Sequence, residues 1–228
     1  MTEPVAPERL RRVRSFVRRP GRMTAAQTRA LEEYLPLWSV DPETSDVRTA
    51  FGSIAPLVIE IGFGNGEALA EMAVHESHHN FLGIEVHEPG VGSLLQRVVR
   101  QELTNVRVAM RDAVEVLERQ VLPASVAQIR IYFSDPWPKK RHHKRRLIQP
   151  AFVEQLARCL EPGGLLHLAT DWRPYATWML EVIGACSEFR ALGDPWVDRP
   201  DWRPQTRFER RGLSRGHEVF DLLYERRG

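Results

Sequence analysis

Apolar residues follow two alternating rhythms along this chain. Short continuous runs at Leu57–Ile61, Phe81–Val86, Val106–Met110, Ile129–Phe133 and Leu165–Thr170 read as strands buried on both sides. Between them apolar positions spread to helical spacing. That predicts a helix ending near His75, then Val91–Glu102, Ala113–Gln120, Pro150–Leu160 and Tyr175–Ser187. Upstream, Thr24 is a candidate cap for a helix over Ala25–Tyr34, with Leu31, Leu35 and Leu37 inward. Asp41–Ser53 reads as a loop or short turns, and Glu161-Pro162-Gly163-Gly164 as a turn. Phe189–Leu192 is a short strand and Val219–Tyr224 a closing one. Between those two lies a long polar insertion, Gly193–Glu218, of a length that usually signals function or mobility. Strands alternating with helices in this way predict an α/β fold, a parallel sheet covered on both faces. Residues 1–20 are basic, contain proline and lack periodicity. They read as a flexible arm ahead of a single domain over residues 21–228.

The chain has 228 residues, with 32 Lys and Arg against 30 Asp and Glu, a net charge of +2. So small an excess does not by itself declare a polyanionic partner; the distribution says more. Arginines cluster at Arg9–Arg22, a cationic run covers Lys139–Arg146, and a third group is Arg207, Arg210, Arg211 and Arg215. If the three converge, they form one phosphate-facing surface. Cys159 and Cys186 have no partners at metal-ligand spacing, which suits free thiols in a reducing compartment and no metal. No apolar run reaches membrane-spanning length, and no hydrophobic leader is visible. The cytoplasm is the expected location, with no membrane contact. No obligate protein partner is evident, and monomer and homodimer are both left open.

Two stretches carry candidate chemistry. Glu60-Ile61-Gly62-Phe63-Gly64-Asn65-Gly66 joins the first strand to a helix, where glycines let the backbone approach a ligand. Gly62, Gly64 and Gly66 follow G-x-G-x-G, not the G-x-G-x-x-G of nicotinamide dehydrogenases. The preceding Glu60 favours a cationic ligand over a pyrophosphate. Glu85, Asp112 and Asp135 follow the second, third and fourth strands, and in an open α/β sheet that edge is where ligands bind. A lone acid after a strand is commonly a helix cap; four in series suggest a site. The second stretch is Asp135-Pro136-Trp137-Pro138-Lys139-Lys140-Arg141-His142-His143-Lys144-Arg145-Arg146. It attaches a strand-end carboxylate directly to a run built to meet phosphates, which suggests chemistry on a nucleic acid.

The glycine loop and the four acids resemble the class I S-adenosylmethionine-dependent methyltransferases. The Asp135–Arg146 stretch and Thr206-Arg207-Phe208-Glu209-Arg210-Arg211-Gly212 more closely resemble the bacterial tRNA (guanine-N7)-methyltransferases. The likeness runs from about Ser15 to Arg226. It implies a Rossmann-like fold with a mostly parallel seven-stranded sheet and an antiparallel last strand. It also implies methylation of the variable-loop guanosine at tRNA position 46, with S-adenosylmethionine as cofactor, S-adenosylhomocysteine as product and tRNA as partner. By resemblance Glu60, Gly62, Gly64, Gly66, Glu85, Asp112 and Asp135 hold the cofactor. Lys139, Asp171, Thr206, Arg207, Phe208 and Glu209 would meet the substrate.

Physical reasoning narrows these roles. Glu60 lies near the methionine part or orders the loop, Glu85 accepts from ribose hydroxyls, and Asp112 faces the adenine amine. Asp135 is the candidate catalytic carboxylate, acting by orientation and charge. Either Asp171 or Glu209 could accept from guanine N1–H and its exocyclic amine. Arg141, His142, His143, Lys144, Arg145 and Arg146 would hold RNA phosphates, and the adjacent histidines lack a third metal ligand. Trp137 either walls the base pocket or packs. Competing readings are a methyltransferase for an exocyclic base amine, a non-catalytic RNA-binding module, and a nicotinamide dehydrogenase. The first expects a second proline where Trp137 stands, the second is opposed by the complete set of acids, and the third by the glycine spacing.

Overall fold

A computed structural model describes residues 22–214 and 216–228, with only the backbone of Arg207, Phe208 and Arg211. The proposed arm over residues 1–20 and the cation Arg215 lie outside the described residues. The strands are β1 Leu57–Ile61, β2 Asn80–Ile84, β3 Val106–Ala109, β4 Val126–Tyr132, β5 Leu160–Thr170, β6 Phe189–Ala191 and β7 Phe220–Arg226. They form one seven-stranded sheet in the order β3-β2-β1-β4-β5-β7-β6. β1 to β5 run parallel, and β7 is antiparallel to both β5 and β6. The helices are α1 Ala25–Trp38, α2 Glu67–His75, α3 Glu88–Arg100, α4 Ala113–Gln120, α5 Pro150–Cys159, α6 Arg173–Gly184 and α7 Arg207–Leu213. No helix among the described residues is long and apolar enough to cross a membrane.

The apolar runs are strands because both of their faces are covered. Leu57, Ile59 and Ile61 point into one core, shared with Leu117 of α4, Phe152 of α5 and Met179 of α6. Val58 points the other way, into a core with Leu69 of α2, Leu94 of α3 and Ala30 of α1. Phe81 and Leu82 of β2, and Ile131 and Tyr132 of β4, divide in the same way. This is the two-residue period of a pleated strand.

Three expectations need correction, and one element is new. Leu37 is 67% exposed. Leu31, Leu35 and Trp38 pack inward instead, because helical spacing puts i, i+4 and i+7 on one face and position i+6 elsewhere. The Glu161–Gly164 turn lies inside β5, where Gly163 adopts φ +81° and the pairing with β4 shifts register between Val126 and Gln128. The 193–218 insertion is not all loop: it contains α7, and Val197 bridges to Asp221. The cationic run contains a 3-10 helix, Lys140–Arg145.

α1 starts where the sequence indicated. The Thr24 side chain accepts from Gln27 N–H, and the Gln27 side chain accepts from Thr24 N–H, a reciprocal capping box.

Candidate active site

The sheet order reverses between β1 and β4, since β2 and β3 lie to one side of β1 and the later strands to the other. Crossover helices therefore diverge at this point and leave a crevice at the C-terminal strand ends. A cleft of about 230 Å³ occupies it. Ile61 and Gly62 enter its wall after β1, Ile84 and Glu85 after β2, Arg111 and Asp112 after β3, and Phe133, Ser134 and Asp135 after β4.

The glycine loop needs its glycines for two reasons. Gly64 has φ +59°, and a Cβ placed there would meet nothing within 4 Å, so bare backbone faces open space. Gly66 has φ +70°, and a Cβ there would lie 2.5 Å from Leu94 Cβ, so the loop seats tightly on α3. Left-handed backbone is cheap only without a side chain. Glu85 holds the loop's other side: Oε2 accepts from Gly64 N–H at 3.0 Å, and Oε1 accepts from Val86 and His87 N–H at 2.7 and 3.0 Å. Asp112 caps α4 by accepting from Val114 N–H at 3.0 Å, and it also lines the cleft.

Glu60 does not line the cleft. It is 3% exposed, and its Oε2 has no hydrogen-bond partner. Burial pushes its pKa up to about 8; nearby Glu85 adds to the rise and Arg130 opposes it. Arg130, opposite it in the sheet, spends its guanidinium on Glu76, at 3.0 and 2.9 Å, and on Gln128. Burial therefore favours the neutral form of Glu60 at pH 7.

Asp135 is exposed at the cleft rim. Phe133 and Trp137 on either side of it have φ +53° and +44°. Bulky side chains rarely tolerate this backbone, and such strain concentrates at functional sites. The loop is pinned beyond its rim. The Tyr175 hydroxyl lies 3.3 Å from Ser134 Oγ and accepts from Ile148 N–H at 3.4 Å.

The cationic run divides into two kinds of residue. Lys139, Arg141 and Lys144 are exposed, and His142, His143 and Arg145 are partly so. Trp137 packs within its own loop, with the His142 ring edge-on at 5.8 Å and the Arg145 guanidinium 5.1 Å from its centroid. Partial burial and the surrounding cations hold His142 below the usual histidine pKa. Arg146 does not belong on the expected phosphate surface. It is 4% exposed, donates to the Pro136 carbonyl at 2.9 Å and stacks over Tyr175 and Trp178. Its charge serves the loop's own carbonyl and aromatic faces.

Asp171 stands one strand over, after β5, with Oδ2 3.3 Å from His217 Nδ1. It does not cap α6, whose cap position is Trp172 with no side-chain bond. Thr206 caps α7, accepting from Glu209 N–H at 3.1 Å. Glu209 is 3% exposed, with both oxygens on Arg203 at 2.6 and 2.8 Å. The side chains of Arg207 and Phe208 lie outside the described residues.

Sequence reasoning passed over a buried polar chain. Tyr132 O–H lies 3.0 Å from His167 Nδ1, His167 Nε2 lies 2.8 Å from Asp221, and Asp221 accepts from Arg203 at 2.8 Å. The available signal was a histidine and an aspartate inside otherwise apolar strands. Arg111 in the cleft wall was also passed over. No cluster of three or more His, Cys, Asp or Glu side chains suited to a metal ion occurs among the described residues.

A family model described as "Putative methyltransferase" matches residues 54–222. A tRNA (guanine-N(7)-)-methyltransferase of Burkholderia thailandensis is 51% identical over 224 residues, 97% of this chain and 84% of that protein. One of Aeromonas hydrophila is 50% identical over 222 residues, 95% and 93% of the two chains. Among solved structures, the 16S rRNA methyltransferase KamB aligns with TM-score 0.60 at 14% identity, over 84% of this chain and 99% of that one. An rRNA methylase from Streptococcus thermophilus aligns with TM-score 0.52 at 13% identity, over 91% and 100%. These structural likenesses establish the class I methyltransferase architecture, and with half of all positions shared along nearly its whole length, the chain belongs to the tRNA (guanine-N7)-methyltransferase family.

Proposed function

We propose that this chain methylates N7 of the variable-loop guanosine, position 46, of tRNA, using S-adenosylmethionine in the cytoplasm. The observation that carries the reading is the acid-lined cleft at the sheet's reversal point, in a chain of this family. The residues present fit the cofactor. Gly62 and Gly64 offer open backbone, Glu60 has a buried oxygen without a partner, and Glu85 and Asp112 present carboxylates to the cleft. Glu85 and Asp112 in the wall, with Glu60 buried one residue before it in β1, suit a cationic amino-acid end and an adenosine better than a pyrophosphate. When bound, S-adenosylmethionine supplies an electrophilic methyl on a sulfonium and leaves as S-adenosylhomocysteine.

The work left to the chain is placement and charge. Guanine N7 already presents its lone pair in the major groove, so no side chain has to abstract a proton first. Asp135, at the rim, orients the base and offsets the positive charge that grows on it. Holding reactants in line contributes roughly 7–11 kcal/mol in favourable cases, and a preorganised field adds to that. Of the two carboxylates proposed to hold the guanine edge, Asp171 is favoured, because Glu209 has both oxygens on Arg203. Thr206, Arg207 and Phe208 remain proposed substrate contacts beside it. Lys139, Arg141, His142, His143, Lys144 and Arg145 would hold phosphates.

The test is methyl transfer from labelled S-adenosylmethionine to two unmodified tRNA transcripts, one with the variable-loop guanosine and one with adenosine there. Borohydride and aniline cleavage then reports N7-methylguanosine. Transfer to the first alone supports both reaction and site. Transfer to both overturns the position, and transfer to neither overturns the substrate.

A further inference from the structure

We propose that Arg203 is a positioning residue for the methyl-accepting base, holding α7 and the end of β4 in register across the sheet. The inference rests on the reading above, in which α7 and Asp171 receive the base beside Asp135.

Arg203 is fully buried and reaches three elements at once. Two nitrogens grip the Glu209 carboxylate of α7 at 2.6 and 2.8 Å. Nη2 donates to Asp221 of β7 at 2.8 Å, and Nε lies 2.7 Å from the other Asp221 oxygen. The guanidinium also lies 5.7 and 5.8 Å from the ring centroids of Tyr132 and Phe133. Phe133 is the residue of φ +53° that turns β4 into the Asp135 loop. One planar cation thus sets the distance between the helix capped by Thr206 and the strand end that presents Asp135.

Only an arginine can do this. Its planar fork pairs bidentately with a carboxylate and stacks on aromatic faces, whereas lysine is a point charge on a flexible stem. The chain continues inward through His167 and Tyr132, which fixes the Asp221 carboxylate from behind. Outward, Arg210 of α7 reaches Glu67, the first residue of α2 beyond the glycine loop, at 3.3 Å. α7 therefore touches both the methyl-donor side and the Asp171 side, by way of His217. A small tilt of α7 would move the base relative to the methyl group, and misplacement by about 1 Å costs on the order of 10²-fold in rate.

The test is Arg203→Lys, with turnover expressed per cofactor-binding site measured by calorimetry. The expected result is a fall in kcat of at least tenfold, with KM for tRNA and cofactor affinity near wild type. A purely structural role would lower the yield of binding sites or the melting temperature but leave kcat per site unchanged. That outcome overturns the proposal, as does a loss confined to KM or to cofactor affinity. If Arg203→Lys does not fold, Asp221→Asn decides by the same readouts, because it weakens one arm and keeps an acceptor for the guanidinium. Wild-type protein without N7 transfer would overturn the reaction itself, which keeps the two failures distinct.

Discussion

Two carboxylates near the cleft sit in opposite environments, one exposed and one buried. Asp135 is exposed at the cleft rim, beside the place proposed for a base that gains charge. Asp135→Asn should lower kcat by about 10²-fold, the scale for removing one preorganised electrostatic group. Stability should move by no more than about 0.5 kcal/mol, as at other exposed sites. Single-turnover transfer and a thermal melt check both, and near-normal turnover would remove Asp135 from the mechanism. Glu60 is buried with a pKa pushed up to about 8. Between the ordinary value of 4.5 and about 8 the unfolded chain ionises this group while the folded chain keeps its proton. Its contribution to stability therefore falls as pH rises through that window and levels off above it. A ligand amine that pairs with Glu60 must drive the proton off. Cofactor binding at pH 7 should then release a fraction of a proton, and affinity should rise toward pH 8 by at most about tenfold per unit. Calorimetry in buffers of different ionisation enthalpy measures the release, and Glu60→Gln should abolish it.

The Lys140–Arg145 helix shows how a basic stretch can be sorted into binding and structural parts. A 3-10 helix has three residues per turn, so positions i and i+3 line up. His142 and Arg145 accordingly share Trp137, and Arg141 and Lys144 share the opposite, exposed side. Replacing Arg141 and Lys144 with alanine should weaken tRNA binding and flatten its salt dependence, by about 0.7–0.9 log units of slope for each phosphate left unneutralised. Filter binding across a salt series reads this, and an unchanged slope would place the phosphates elsewhere. Arg146→Ala should behave differently. It strips the Pro136 carbonyl of its donor and empties the space over Tyr175 and Trp178. A loss of about 1–3 kcal/mol in denaturant unfolding is expected, from the orphaned acceptor and the emptied space. Sequence alone could not separate Arg146 from its neighbours, because composition carries no burial. It did locate β1 and α4 to the residue, since uninterrupted apolar runs and helical spacing are local signals. It missed α7 because that helix is short and polar and is held by Arg203, which lies outside it.

At the scale of the whole sheet, the two faces are not equivalent. One is largely apolar, under α4, α5 and α6, with Asn80 of β2 and Arg107 of β3 on it. The other is mostly apolar beneath α1, α2 and α3, but Glu60, Arg130, His167 and Asp221 lie buried on it along β1, β4, β5 and β7. Arg203 and Glu209 cover its β4–β7 part, where charge pairs to Asp221 tie α7 to the sheet. The arrangement makes the fold sensitive to acid. Burial is the main cause that holds His167 below its usual pKa, with Arg203 and Arg130 adding to the effect and Asp221 opposing it. The ring is therefore neutral at pH 7, donating from Nε2 to Asp221 and accepting at Nδ1 from Tyr132. As pH falls below about 6.5 the unfolded chain takes up this proton and the folded chain resists it, so stability drops. His79 is shifted the same way, chiefly by burial, and adds to the slope. Glu60 works against this across the same window, so the histidine part is read in Glu60→Gln protein: there the melting temperature should fall between pH 7.5 and 5.5, each kcal/mol lost lowering it by about 2–4 °C in a chain of this size. In that background His167→Gln removes one of the histidine titrations. It should lower the melting temperature at pH 7.5 but shrink the difference between the two pH values, and an undiminished difference would assign the acid sensitivity to groups away from this face.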